Sequence, residues 1–158
     1  MNMEKVIQEL NAIVEEFTAK FSQFSETELA EKPFPNKWSK KEVIGHLIDS
    51  AQNNLRRFIV GQYEKTPPKI VYQQDFWVAA NNYQHMTGED VINLWQLVNS
   101  QIANVLTTMP KEFYSRLCDT SHEGEQHRSL EWLAQDYVKH MKHHLNQVIA
   151  NSFDIVYP

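Results

Sequence analysis

One cysteine, Cys118, stands alone among 158 residues, so no disulfide can form within the chain, and a reducing compartment is the expectation unless Cys118 pairs with a second chain. Glycine and proline are scarce, at four and six residues, which excludes collagen-like and low-complexity architectures. No apolar run approaches the roughly 20 residues of a membrane-spanning helix, so a membrane role is not expected. Positive charge is also short: 15 Lys and Arg face 20 Asp and Glu, a formal net charge of −5, with no basic cluster to attract nucleic acid. The opening MNMEKVIQELNAIVEEF is acidic and amphipathic where a signal peptide would be basic and then apolar, which predicts a cytoplasmic protein. What the chain does have is 42% hydrophobic residues, enough for one domain over residues 1–158 with a full core.

Those apolar residues recur at helical spacing. Met3, Val6, Ile7, Leu10, Ile13, Val14, Phe17, Phe21 and Phe24 form one stripe. Ser39 followed by Glu42 is a capping box, and Val43, Ile44, Leu47, Ile48, Ala51, Leu55, Phe58 and Ile59 follow it as a second helix until Gly61 to Pro68 break it. Asp75 starts a shorter helix through DFWVAANNYQHM. Thr87 caps a third long helix, with Val91, Leu94, Trp95, Val98, Ile102, Val105, Leu106 and Met109 on one face and Pro110 at its end. Residues 110–128 read as a polar crossover with one short turn at KEFYSRL, too long to be a simple connection and so a candidate functional loop. Ser129 caps the fourth long helix, whose stripe runs from Leu130 to about Ile149. The only strand-like string is KIVYQ at 69–73. Four long amphipathic helices without strands predict an all-α four-helix bundle, with short additional helices in the connections.

The chemistry lies in seven histidines. His140 and His144 on the fourth helix are four residues apart, so they differ by about 40° around the axis and leave the same side as a clamp for one ion. His143 points about 100° away from His144, toward the expected solvent side, and is the weaker ligand. His46 lies outside the apolar arc of the second helix, on a polar wedge with Ser50, Asn53 and Arg57. Three neutral imidazoles around zinc or another divalent transition metal, with one position open, are the pattern of a catalytic site. A scatter of surface or core histidines is the plainer alternative, since HxxxH also arises by chance. His122 and His127, in DTSHEGEQHRS, are expected in solvent, and His85 near a helix end. Cys118 has no activating neighbours and reads as an ordinary thiol.

The strings WSKKEVIGHLIDSA and SLEWLAQDYVKHMKHHLNQV, which together hold a Trp and a capping Ser before a helical His and a closing HxxxHxxQ, resemble the DinB-like, YfiT-type superfamily of metal-dependent bacterial enzymes. The resemblance covers nearly the whole chain. It implies an up-down-down-up bundle and a divalent metal on His46, His140 and His144, with zinc or nickel first and iron or manganese as further options. It also implies a thiol-dependent transferase that uses a low-molecular-weight thiol as cosubstrate and acts on a small-molecule electrophile. A metal-dependent hydrolase is the alternative, and a non-catalytic metal-binding stress-response protein the third. An open metal position would favour a thiolate or a hydroxide, and the sequence does not choose between them. Ser50, Asn53, Arg57, Asp136 and Gln147 are the residues expected to orient a ligating imidazole or a bound substrate. No catalytic residue is assigned; nucleic acid is not an expected partner, and a homodimer is left open.

Overall fold

A computed structural model describes residues 2–158. Each long helix begins at a side chain that satisfies an otherwise orphaned backbone N–H. Asn2 accepts from Lys5 N to open α1 (Met3–Phe21), and a capping box at Ser25 opens the one-turn α2 (Glu26–Ala30). Ser39 and Glu42 form the expected box at the start of α3 (Lys40–Tyr63). The shorter α4 (Gln74–Asn81) has no side-chain cap and stops at Asn82, which takes a left-handed φ of 55° before a 3-10 turn at Tyr83–His85. Thr87 and Ser129 cap α5 (Gly88–Thr108) and α6 (Leu130–Val148).

The four long helices pack in the ring α1, α5, α3, α6, so helices consecutive in sequence need not be neighbours. Directions follow from side-chain contacts. Lys41 at the start of α3 donates to Met86 O just before α5, so α3 and α5 run parallel. Gly88 N at the start of α5 donates to Glu26 just after α1, which makes α1 antiparallel to α5. His46, early in α3, meets His140, late in α6, so that pair is antiparallel too. The result is an up-down-down-up four-helix bundle. A parallel α3–α5 pair requires a return crossing, and residues 64–87, with α4 inside, supply it.

Apolar stripes from all four helices close the core, where Trp95, Phe17, Phe21 and Phe58 are all fully buried. Phe21 meets Trp95 edge-to-face at 5.2 Å between ring centroids, a geometry that adds about 0.5–1.5 kcal/mol beyond area burial.

Several expectations need correction. The first stripe predicts a helix through Phe24, but α1 ends at Phe21, and Ser22 N and its hydroxyl both bond Thr18 O. The helix α3 passes Gly61 and ends at Tyr63, since Gly61 faces Leu130 and Cys118 closely and its small size serves packing. The helix expected from Asp75 through Met86 is cut at Asn82. Strands do occur: β1 (Leu117–Asp119) and β2 (His127–Ser129) form a small antiparallel hairpin inside the stretch expected to be a polar crossover. Part of that stretch is buried, because the Asp119 carboxylate accepts from Ser121 N, Ser121 Oγ and Gln126 N and so satisfies its own loop. KIVYQ contributes only one parallel bridge, Lys69 to Asp119; Pro67 and Pro68 precede it and lack the N–H groups a longer ladder needs.

Candidate metal centre

Two helices meet at this site. The capping box fixes where α3 begins, which places Trp38 just outside it and His46 in its second turn, with no exposed surface. Because α6 runs antiparallel to α3, its last two turns bring His140 and His144 opposite His46. One ring nitrogen from each of the three lies within 4.8 Å of the others. His46 Nε2 and His140 Nε2 are 3.3 Å apart. Two imidazoles bound to one tetrahedral ion at about 2.0–2.1 Å have nitrogens separated by about 3.3–3.4 Å, so this spacing fits a shared metal.

The opposite ring edges orient two of these histidines. His144 Nδ1 lies 3.0 Å from Gln147 Oε1, an acceptor that draws the proton to Nδ1 and leaves Nε2 as a lone pair. His140 Nδ1 lies 3.4 Å from Ser50 Oγ. His46 Nδ1 is buried without a hydrogen-bond partner among the described residues, so its ring is held by packing against Trp38, 5.1 Å away between centroids.

Burial disfavours the charged form of all three rings. His46 falls from 6.5 to about 3, chiefly by desolvation and then by the neighbouring His144. His140 is held well below the ordinary value by burial and then by His144 and His46. Burial also lowers His144, against the opposing hydrogen bond that its Nδ1 donates to Gln147 Oε1. Neutral imidazole is the ligating form, and three nitrogen donors without a carboxylate suit a divalent transition ion better than calcium or magnesium.

A cavity of about 850 Å³ opens beside the cluster, with Trp38, Val43, Gln74, Asp75, His144 and Gln147 among its lining residues. Gln74 and Asp75 belong to α4, which is moored to α3 through Asp49. That buried carboxylate accepts from Tyr83 Oη at 2.6 Å and Asn81 Nδ2 at 2.9 Å, and desolvation raises it to about 6. No pattern in the sequence singles out Asp49, because a polar residue inside a helix normally faces water.

Of the residues expected to support the site, Ser50 and Gln147 reach imidazoles of the three-histidine group and three others do not. Asn53 turns back to donate to Asp49 O on its own helix. Arg57 is engaged by Ile70 O, which accepts from Nε at 3.1 Å and Nη2 at 2.7 Å, and by Asn54 Oδ1. Asp136 accepts from Tyr157 at 3.1 Å and touches no imidazole through a hydrogen bond. The polar wedge expected to border a cavity is instead buried at His46, Ser50 and Asn53. His143 stays outside the three-nitrogen group but is half-buried against Tyr157 rather than solvated, since the chain after α6 folds back over it. His85, His122 and His127 are exposed, and buried Cys118 has its thiol raised to about 11 by desolvation.

In comparisons with known proteins, no curated protein matches the sequence. Among solved structures, YfiT from Bacillus subtilis, described as a probable metal-dependent hydrolase with an unusual four-helix bundle topology, superposes with a TM-score of 0.78 at 24% identity, covering 92% of this chain and 83% of that one. A mycothiol-dependent maleylpyruvate isomerase superposes with a TM-score of 0.72 at 11% identity, covering 92% of this chain, which spans 60% of the isomerase's length. No described helix is long and apolar enough to cross a membrane. The family model of the DinB superfamily matches residues 2–148, and the chain belongs to that superfamily.

Proposed function

We propose that this protein is a metal-dependent enzyme that holds one divalent transition ion, zinc or nickel first, on His46, His140 and His144, and transfers a low-molecular-weight thiol to a small electrophile. The observation that carries the reading is the convergence of three imidazole nitrogens within 4.8 Å at the edge of a large cavity. An ion held there would act as a Lewis acid and favour the deprotonated form of a thiol or water. The protein's own contribution is orientation: Gln147 and Ser50 hold His144 and His140 by their Nδ1 edges, and Trp38 packs His46 in place.

Three neutral donors leave the charge of the ion uncompensated, which favours an anionic fourth ligand from outside the chain. Cys118 cannot supply a thiolate, because it is fully buried and its thiol donates to Arg57 O, about three turns along α3 from His46. The cavity, at about 850 Å³, has room for a cosubstrate together with an electrophile, whereas hydrolysis would need only one small substrate and water. The likeness to a mycothiol-dependent isomerase supports the thiol, and the likeness to YfiT supports hydrolysis as the second reading.

The test begins with metal analysis of untagged protein, wild type and His46→Ala. About one ion per chain in the wild type and far less in the variant is expected; full retention by His46→Ala refutes the ligand set. Metal-loaded protein is then given thiols with small electrophiles, and separately amide or ester substrates in water. Metal-dependent turnover that requires the thiol supports transfer. Metal-dependent turnover without thiol replaces transfer with hydrolysis, and metal binding without turnover on either panel favours a non-catalytic metal-binding protein.

A further inference from the structure

We propose that Tyr157 is a positioning residue of this centre, holding His140 in its ligating orientation and keeping His143 out of the ligand set; the proposal rests on the metal-binding reading above. The segment after α6 reverses at Asn151, whose φ is 60°, and returns along the helix it has just left. It is fastened twice on the way. Asn146 Oδ1 accepts from Phe153 N at 2.9 Å and its Nδ2 donates to Phe153 O at 3.0 Å, while the Phe153 ring stacks on Phe17 at 5.5 Å. Four residues later the Tyr157 hydroxyl donates to Asp136 Oδ2 at 3.1 Å.

Between these fastenings the Tyr157 ring has little freedom, and it lies against two histidines at once. Its centroid is 5.6 Å from that of His140, edge-to-face at 69°, and 5.6 Å from that of His143, tilted at 38°. Asp136, His140 and His143 occupy positions i, i+4 and i+7, one face of α6, so a single tyrosine covers all three. His143 is the residue that makes this placement consequential. Its ring is 4.9 Å from that of His144, yet its nitrogens lie outside the three-histidine group. A fourth imidazole so near a three-nitrogen site is a competent ligand, and its arrival would convert an open, catalytic coordination into a closed, structural one. The Tyr157 ring packs on the His143 and His140 rings together and so keeps the His143 ring in its present position.

Cobalt(II) serves as the probe, because its visible absorption reports coordination number and ligand type. Wild type, Tyr157→Phe, Tyr157→Ala, and the double variant Tyr157→Ala with His143→Ala are loaded with cobalt, their spectra recorded, and release into excess chelator timed. Tyr157→Ala should show altered visible bands as His143 joins the ligands, and the double variant, with His140 unsupported and no fourth imidazole, should release cobalt about 10- to 100-fold faster than wild type, the range for residues that support a metal ligand. Tyr157→Phe keeps the ring and should retain the wild-type spectrum. Removing His143 from the Tyr157→Ala background should return the bands to wild type. A Tyr157→Ala protein with wild-type bands overturns the proposal, as does a double variant that keeps the altered spectrum or releases cobalt at the wild-type rate. If Tyr157→Ala does not fold by circular dichroism, Tyr157→Leu, with bulk but no aromatic face, carries the same expectations. Wild-type protein that binds no cobalt refutes the metal-binding reading itself, an outcome separate from the other two.

Discussion

His143 and His144 are adjacent, chemically identical and oriented apart by the helix, so each is the other's control in a metal titration. The nitrogen that His144 offers lies within 4.8 Å of those of His46 and His140, and its far edge is fixed by Gln147 at 3.0 Å. Replacing it with alanine removes one of the three proposed ligands together with the purpose of the Gln147 contact. Losing a supporting residue such as Gln147 weakens metal binding by about 10- to 100-fold, so losing the ligand itself should exceed about 100-fold, or more than about 2.7 kcal/mol. His143→Ala removes only ring contacts with Tyr157 and His144, leaves the three ligands in place, and should stay below about tenfold, or 1.4 kcal/mol. Competition against a chromophoric chelator measures all three variants on one scale. The expected order of loss is His144→Ala, then Gln147→Ala, then His143→Ala; an equal or reversed ranking of the two histidines would refute the assignment of α6's ligating face.

Gly45→Ala should destabilise the fold, because a Cβ there would lie 2.1 Å from the Tyr83 ring, and overpacking of about 1–3 kcal/mol outweighs a helix-propensity gain near 1 kcal/mol; an unchanged or raised Tm would contradict this. Ser39→Ala removes the cap of α3 and a 2.6 Å bond to Gln84 and should cost about 1–2 kcal/mol, read as a Tm lower by roughly 2–8 °C. Metal-free protein should lose stability as pH falls below about 6.5 toward the His46 value of about 3, because the unfolded chain takes up protons that His46, His140 and His144 resist in the fold. Asp49, raised to about 6, and Asp136, also raised, act in the opposite sense, since their protons favour the fold, whereas Glu26, Glu28 and Asp119 are lowered and act with the three histidines. Thermal melts from pH 7 to pH 4 that stay flat or rise would show that these imidazoles are not buried as described.

Local signals in the sequence are strong wherever chemistry and structure coincide along a few residues. Ser39 with Glu42, Thr87 and Ser129 mark helix starts because a cap acts within one turn, and all three cap the helices expected of them. The spacing of His140 and His144 likewise puts both rings on one side of α6, a property of helical geometry alone. Where a signal depends on a distant partner, periodicity misleads. Asn53 and Arg57 share the polar wedge of His46, yet Asn53 bonds its own backbone and Arg57 a carbonyl from the crossing segment. The polarity of residues 117–129 hides a hairpin because Asp119 satisfies the loop that would otherwise need water.

The sequence by itself determined four amphipathic helices, their caps, and a two-histidine face on the last of them, all consequences of a 3.6-residue period. Only the tertiary structure decided that α3 and α6 run antiparallel with their site-bearing ends together, which is what sets His46 Nε2 3.3 Å from His140 Nε2. It also decided that Tyr157, which carries no periodic signal, folds back to Asp136 and packs its ring on His143. Contacts of that kind join residues far apart along the chain or across a reversal, and hydrophobic period encodes which face a residue occupies but not which partner it meets there.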